Sequence, residues 1–115
     1  MLKNVSKTVE LAGKQYEMFC NINVLQELQD RYGSMQSWAD HLDDAKGEAS
    51  LKAVLDGLAV MINEGIDVAN EDGGNRPMIS RKQLGRLVDE NSLPELLSTM
   101  GELISESMQS AEKKG

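Results

Sequence analysis

The stretch that decides the fold is Leu51–Ala69, LKAVLDGLAVMINEGIDVA, the longest apolar periodic run in the chain. Leu51, Val54, Leu55, Leu58, Ile62, Ile66 and Ala69 recur at intervals of three and four, which sets them on one stripe of a helix. Ala59 and Met61 widen that stripe. A helix with so broad an apolar surface is not stable alone in water, so the run reads as the hub of an all-helical core. Gly57 and Gly65 sit inside it, each costing on the order of 1 kcal/mol relative to Ala. The expected compensation is close approach of a neighbouring helix, with a kink at Gly65 as the alternative.

Composition supports a helical core around this hub. The 115 residues make one domain by size, and a chain of this length buries roughly two-thirds of its unfolded surface. Aromatic residues are only 3% of the chain, so the core is built from Leu, Ile, Val and Met, which suits helix packing better than a β-sandwich. Seven Met imply adaptable packing or an adaptable binding face. A formal charge of −7 argues against nucleic acid, because affinity for phosphate comes mainly from Lys and Arg. Cys20 is the single cysteine and no apolar signal run opens the chain, which points to a soluble protein of the reducing cytoplasm. No segment reaches the eighteen or so apolar residues needed to span a bilayer, so no membrane partner is expected.

Upstream of the hub, residues 1–6 read as a lead-in. KTVEL and QYEMFC then alternate with period two around Ala-Gly-Lys, which predicts a β-hairpin over about residues 7–20. A turn centred on Gly13-Lys14 pairs Leu11 with Tyr16 and Val9 with Met18, and sets all four on the side that packs on the helices. In NINVLQELQDRYG, Asn23 is the expected N-cap, with Asn21 as the alternative, and Gly33 fits the left-handed position that ends the helix. Ser34 caps a short helix, MQSWADHLDD, with Met35, Trp38, Ala39 and Leu42 inward. In AKGEAS, Gly47 weakens helix and Ser50 offers a cap.

Downstream, NEDGGNRP breaks the pattern and predicts a mobile surface loop. Ser80 and Gln83 form a capping box for a short helix with Leu84, Leu87 and Val88 inward, ending near Asn91; Ser92 and Glu95 form a second box for the last helix. The fold expected is therefore mainly α, an N-terminal hairpin packed on a compact bundle of about five helices. Residues 1–109 form the single domain and 110–115 a polar tail that frays.

Residue patterns for chemistry fall short. Asn70, Asp72 and Gly73 resemble the middle of a calcium loop, but the first ligand position would be Val68 and the bidentate acid Ile79. His41, the only histidine, lies beside Asp40, Asp43 and Asp44 without further metal ligands or a nucleophile, and reads as helix surface. Cys20 reads as a small buried apolar residue. SRKQLGRLVDENSLPELL has the outline of a helix-turn-helix, but the end that would enter a groove carries Asp89, Glu90 and Glu95, which phosphate repels. No catalytic residue, metal site or cofactor is expected. The apolar faces outnumber what one small core needs. The last helix, around Met100, Leu103, Ile104 and Met108, is the expected partner-docking stripe, with ordinary core as the alternative for the same residues. Spare stripes also allow homo-oligomers.

The order of signals resembles a known family. A hairpin AGKQYEMFC leads into NINVLQELQDRYG, then a short helix, LKAVLDGLAVMINEG, a loop, ISRKQLGRLVDE and LPELLSTMGELISESM. Over about residues 8–108 this is similar to the tail assembly chaperones of long-tailed, siphovirus-type bacteriophages and prophages. The resemblance implies a non-enzymatic protein of the bacterial host cytoplasm that coats the tape measure protein and helps recruit tail tube protein. It also implies a frameshifted longer form, for which Lys113-Lys114 would suit a slippery codon pair. The family has no fixed binding residues to carry over. The alternative is a small helical adaptor or regulator that binds another protein through the same kind of face.

Overall fold

The computed structural model describes residues 5–42, 51–89 and 91–112, with side-chain environments for 6–42, 51–89 and 91–107. The chain runs β1 (Val5–Leu11), β2 (Lys14–Cys20), α1 (Ile22–Tyr32), α2 (Met35–Leu42), α3 (Leu51–Glu71), α4 (Arg81–Leu87) and α5 (Leu93–Glu112). It is a mainly helical fold of five helices with a two-stranded antiparallel hairpin packed against them. The expectations for residues 1–4, for Gly47 and Ser50, and for residues 113–115 lie outside the described residues.

The hub helix is α3, and its burial exceeds a stripe. Every residue from Ala53 to Ile62 except Leu55 is buried, because β2, α1, α2, α4 and α5 all pack on it. Leu51 and Ala69, expected in the stripe, are instead exposed: they lie near the two ends of the helix, past the elements that enclose its middle. Gly57 and Gly65 are where neighbours press closest, but only one neighbour is a helix. A Cβ at Gly57 would stand 2.5 Å from the Trp38 ring of α2; at Gly65 it would collide with the Glu17 carbonyl of strand β2.

The hairpin forms with a register two residues from the one expected. Val9 pairs with Tyr16 and Lys7 with Met18, around a two-residue turn at Ala12-Gly13 rather than Gly13-Lys14. Both turn residues have positive φ, 52° and 81°, the combination whose twist matches the flanking strands. A shift of two preserves the alternation, so Val9, Leu11, Tyr16 and Met18 still share the buried side. The first strand begins at Val5, within the expected lead-in.

Local caps set the helix ends. Asn21, not Asn23, caps α1: its Oδ1 accepts from the Val24 N–H at 3.2 Å, while the Asn21 and Asn23 amides both donate to Glu64 on α3. Gly33 (φ 86°) closes α1, its N–H donating to the Gln29 carbonyl at 2.7 Å. Ser34 accepts from the Ser37 N–H, as expected. The Ser80–Gln83 capping box is present, but α4 stops at Leu87, short of Asn91, because Val88 turns extended. The Ser92–Glu95 box is replaced: the Ser92 hydroxyl turns back to Asp89, which bonds it reciprocally. The helix α5 continues to Glu112, so the expected tail is helical over residues 110–112.

The loop after α3 is anchored rather than loose. The Asn63 amide donates to the Ile79 carbonyl and accepts from its N–H, both at 2.8 Å, and Asn70 grips the backbone of Arg76 in the same two-way manner. The Arg76 guanidinium then lies 4.6 Å from the centre of the Tyr16 ring.

Candidate partner-binding groove

The four residues expected to dock a partner divide in the structure. Met100 and Leu103 are fully buried and belong to the core, because the side of α5 that carries them lies against the rest of the fold. Ile104 is half-buried and faces a groove. Met108 lies one helical turn further on, and its side chain is outside the described residues.

The groove lies between α2 and α5 and has a volume of about 500 Å³. Met35, Ala39 and Leu42 line it from α2, and Leu97, Gly101 and Ile104 from α5, with Gln36 and Ser105 beside them. Met35, Ala39 and Leu42 were expected to point into the core; only Trp38 of that set is fully buried. Trp38 fixes α2 in place: its indole N–H donates to the Ala53 carbonyl at 3.0 Å and its ring fills the space left at Gly57. The groove is thus a consequence of two close packings, α2 on α3 and α5 on the hairpin, that leave α2 and α5 apart. The signal in the sequence that marks it is Gly101, a glycine in the middle of α5 with no atom within 4 Å of where its Cβ would stand.

The other polar features have structural roles. Asp56, its side chain only 6% exposed, lies in the hub helix among apolar neighbours. It accepts from the Tyr32 hydroxyl at 2.7 Å and has Arg31 and Arg81 each at 3.6 Å, so one carboxylate ties α1 and α4 to α3. Burial, then the hydrogen bond to Asp56 and the charge of that carboxylate, push the Tyr32 hydroxyl up to about 12. Burial likewise pushes the Cys20 thiol up, which keeps it protonated and unreactive. The buried Ser107 hydroxyl finds no nitrogen or oxygen partner and faces that thiol, a weak one.

His41 is exposed, with Nδ1 2.7 Å from the Ser37 carbonyl and its ring 5.4 Å from that of Tyr32; no nucleophile stands beside it among the described residues. Asp43 and Asp44 lie outside the described residues. Among the described residues no three His, Cys, Asp or Glu are grouped to hold a metal, and no helix is long and apolar enough to cross a membrane. A second cavity, about 530 Å³, runs from β1 to the start of α5; Glu10, Asp89 and Glu95 line it with no basic residue, and it lacks the apolar walls of the α2–α5 groove. Compared with known proteins, the chain matches no family model, no curated protein and no solved structure.

Proposed function

We propose that the chain is a non-catalytic binding protein whose α2–α5 groove takes an apolar helix of another protein. We propose further that it acts as a phage or prophage tail assembly chaperone, holding helices of the tape measure protein in the host cytoplasm and helping recruit tail tube subunits. The observation that carries the binding reading is the groove itself: two helices held apart, with apolar residues at Met35, Ala39, Leu42, Leu97 and Ile104 on either side. A groove of that form suits a partner helix that presents apolar side chains at three- and four-residue spacing. The narrower reading rests on the order of elements, a hairpin, an Asn-capped helix, a short helix, a long apolar helix, a small helix and a closing helix. A chaperone of this kind works by covering apolar surface that would otherwise aggregate, and it needs no active site.

Trp38 is the only tryptophan and lines the groove, so its emission reports occupancy. The test is a titration of the full chain with helical fragments of the tape measure protein encoded beside it. Binding at micromolar concentration with a shift in Trp38 emission is the expected result. A neighbourhood without a long tape measure gene, or no binding to its fragments, ends the chaperone reading. Binding of a different apolar helix in the same groove would leave an adaptor.

A further inference from the structure

The groove has two features that specify its occupant. The first is Gly101. Glycine weakens a helix interior relative to Ala, and Gly57 and Gly65 repay that within the chain by admitting Trp38 and the β2 backbone. Gly101 admits nothing from the described chain. With Ala39 it is one of the two smallest side chains lining the groove, between the larger Met35, Leu42, Leu97 and Ile104. Gly85 is equally open, but on the exposed side of the short α4.

The second feature is charge. Neither helix that walls the groove contains Lys or Arg, whereas together they carry Asp40, Glu95, Glu102, Glu106 and Glu112. Gln36, which lines the groove, donates to the exposed Asp40 carboxylate at 2.9 Å and so marks an acidic rim. Glu102 and Glu106 share the single cation of Lys7, at 3.9 and 3.1 Å, and both remain half exposed or more. A second copy of this chain, itself at −7, would meet the rim with like charge.

Resting on the groove as the binding site, we infer that its occupant is an amphipathic helix of another protein, with Lys or Arg flanking its apolar face. One large apolar side chain of that helix seats in the notch at Gly101 and Ala39.

The test follows Trp38 emission of the full chain with three synthetic helical peptides of about 18 residues, long enough to hold a helix. All three share one apolar face of Leu and Phe. The first has Lys and Arg flanks, the second Glu flanks, and the third Lys and Arg flanks with the Phe anchors replaced by Ala. At low salt the first is expected to bind about tenfold more tightly than the second, the gap closing as salt is raised, and about tenfold more tightly than the third. Gly101→Leu fills the notch and is expected to weaken the first peptide about tenfold while the thermal midpoint stays or rises; Gly101→Ala gives a smaller loss in the same direction. Equal affinity for Lys and Glu peptides overturns the charge assignment, and unchanged binding by both Gly101 variants overturns the notch, with the groove left standing in each case. No binding by any peptide removes the groove reading itself. A concentration-dependent change in Trp38 emission without peptide, abolished by Gly101→Leu, makes a second copy the occupant and overturns the inference.

Discussion

Gly65 and Gly101 both stand in the interior of a long helix, yet one is pressed by its neighbours and the other faces open space. At Gly65 the helix α3 lies so close to strand β2 that a single methyl would meet the Glu17 carbonyl. At Gly101 nothing approaches within 4 Å of the same added atom. The first glycine belongs to an interface completed within the chain. The second belongs to a surface whose counterpart is missing, and that contrast separates the hairpin–α3 side of the molecule from the α2–α5 side.

The contrast can be broken by substitution. Gly65→Ala should have the largest effect, a loss of about 3 kcal/mol, because the obstacle is backbone and the strand must move; urea unfolding measures it. No loss would mean that β2 does not bear on α3. Gly57→Ala should cost about 2 kcal/mol in the same assay, since the obstacle is the edge of a fully buried ring that has little room to turn.

Tyr32→Phe should cost about 1.5 kcal/mol at neutral pH by removing a hydrogen bond to a buried carboxylate. It should also change the alkaline limb. Below pH 10 folded and unfolded chains both hold the Tyr32 proton. Between pH 10 and about 12 the unfolded chain releases it while the folded one retains it, so stability falls as pH rises. The fall should be shallower in Tyr32→Phe, and parallel curves for the two proteins would show that Tyr32 titrates alike in both states. Gly101→Ala should have the smallest and opposite effect, a gain of about 1 kcal/mol from helix propensity alone, read as a higher unfolding midpoint. A loss there would mean that the site is occupied within the chain after all.

Much of the fold was legible because local chemistry states it. The Ser80–Gln83 box, the Ser34 cap and Gly33 each act within a few residues, and each forms as its sequence implies. Where two local solutions are equivalent, tertiary contacts decide. Asn21 and Asn23 are both good caps, and both amides end on Glu64, a residue distant in sequence. The two hairpin registers bury the same four side chains, so only the backbone twist of the Ala12-Gly13 turn distinguishes them. Ser92 had a competitor three residues upstream in Asp89.

The candidate site was half legible for a related reason. Periodicity identifies the apolar stripe of α5 but not which edge of it the remaining elements cover. Met100 and Leu103 fell on the covered edge and Ile104 on the open one. The inward pattern of α2 likewise gave Met35, Ala39 and Leu42 as apolar without telling core from groove. Asp56 could not be anticipated at all, since a carboxylate in an apolar helix reads as solvent-facing until Arg31 and Arg81, from elements before and after it, are brought to it.

The way α3 is enclosed bears on how substitutions combine. The helix α2 reaches it at Ala53 and Gly57 through Trp38, whereas α4 and the loop before it reach it at Asp56 and Asn63 through Arg81 and Ile79. These anchor points lie on different faces and share no side-chain partner. Changes made in α2 and in α4 should therefore add, while pairs that include a residue of α3 should not. The periphery of the domain can vary piece by piece, and its axis can vary only as a whole.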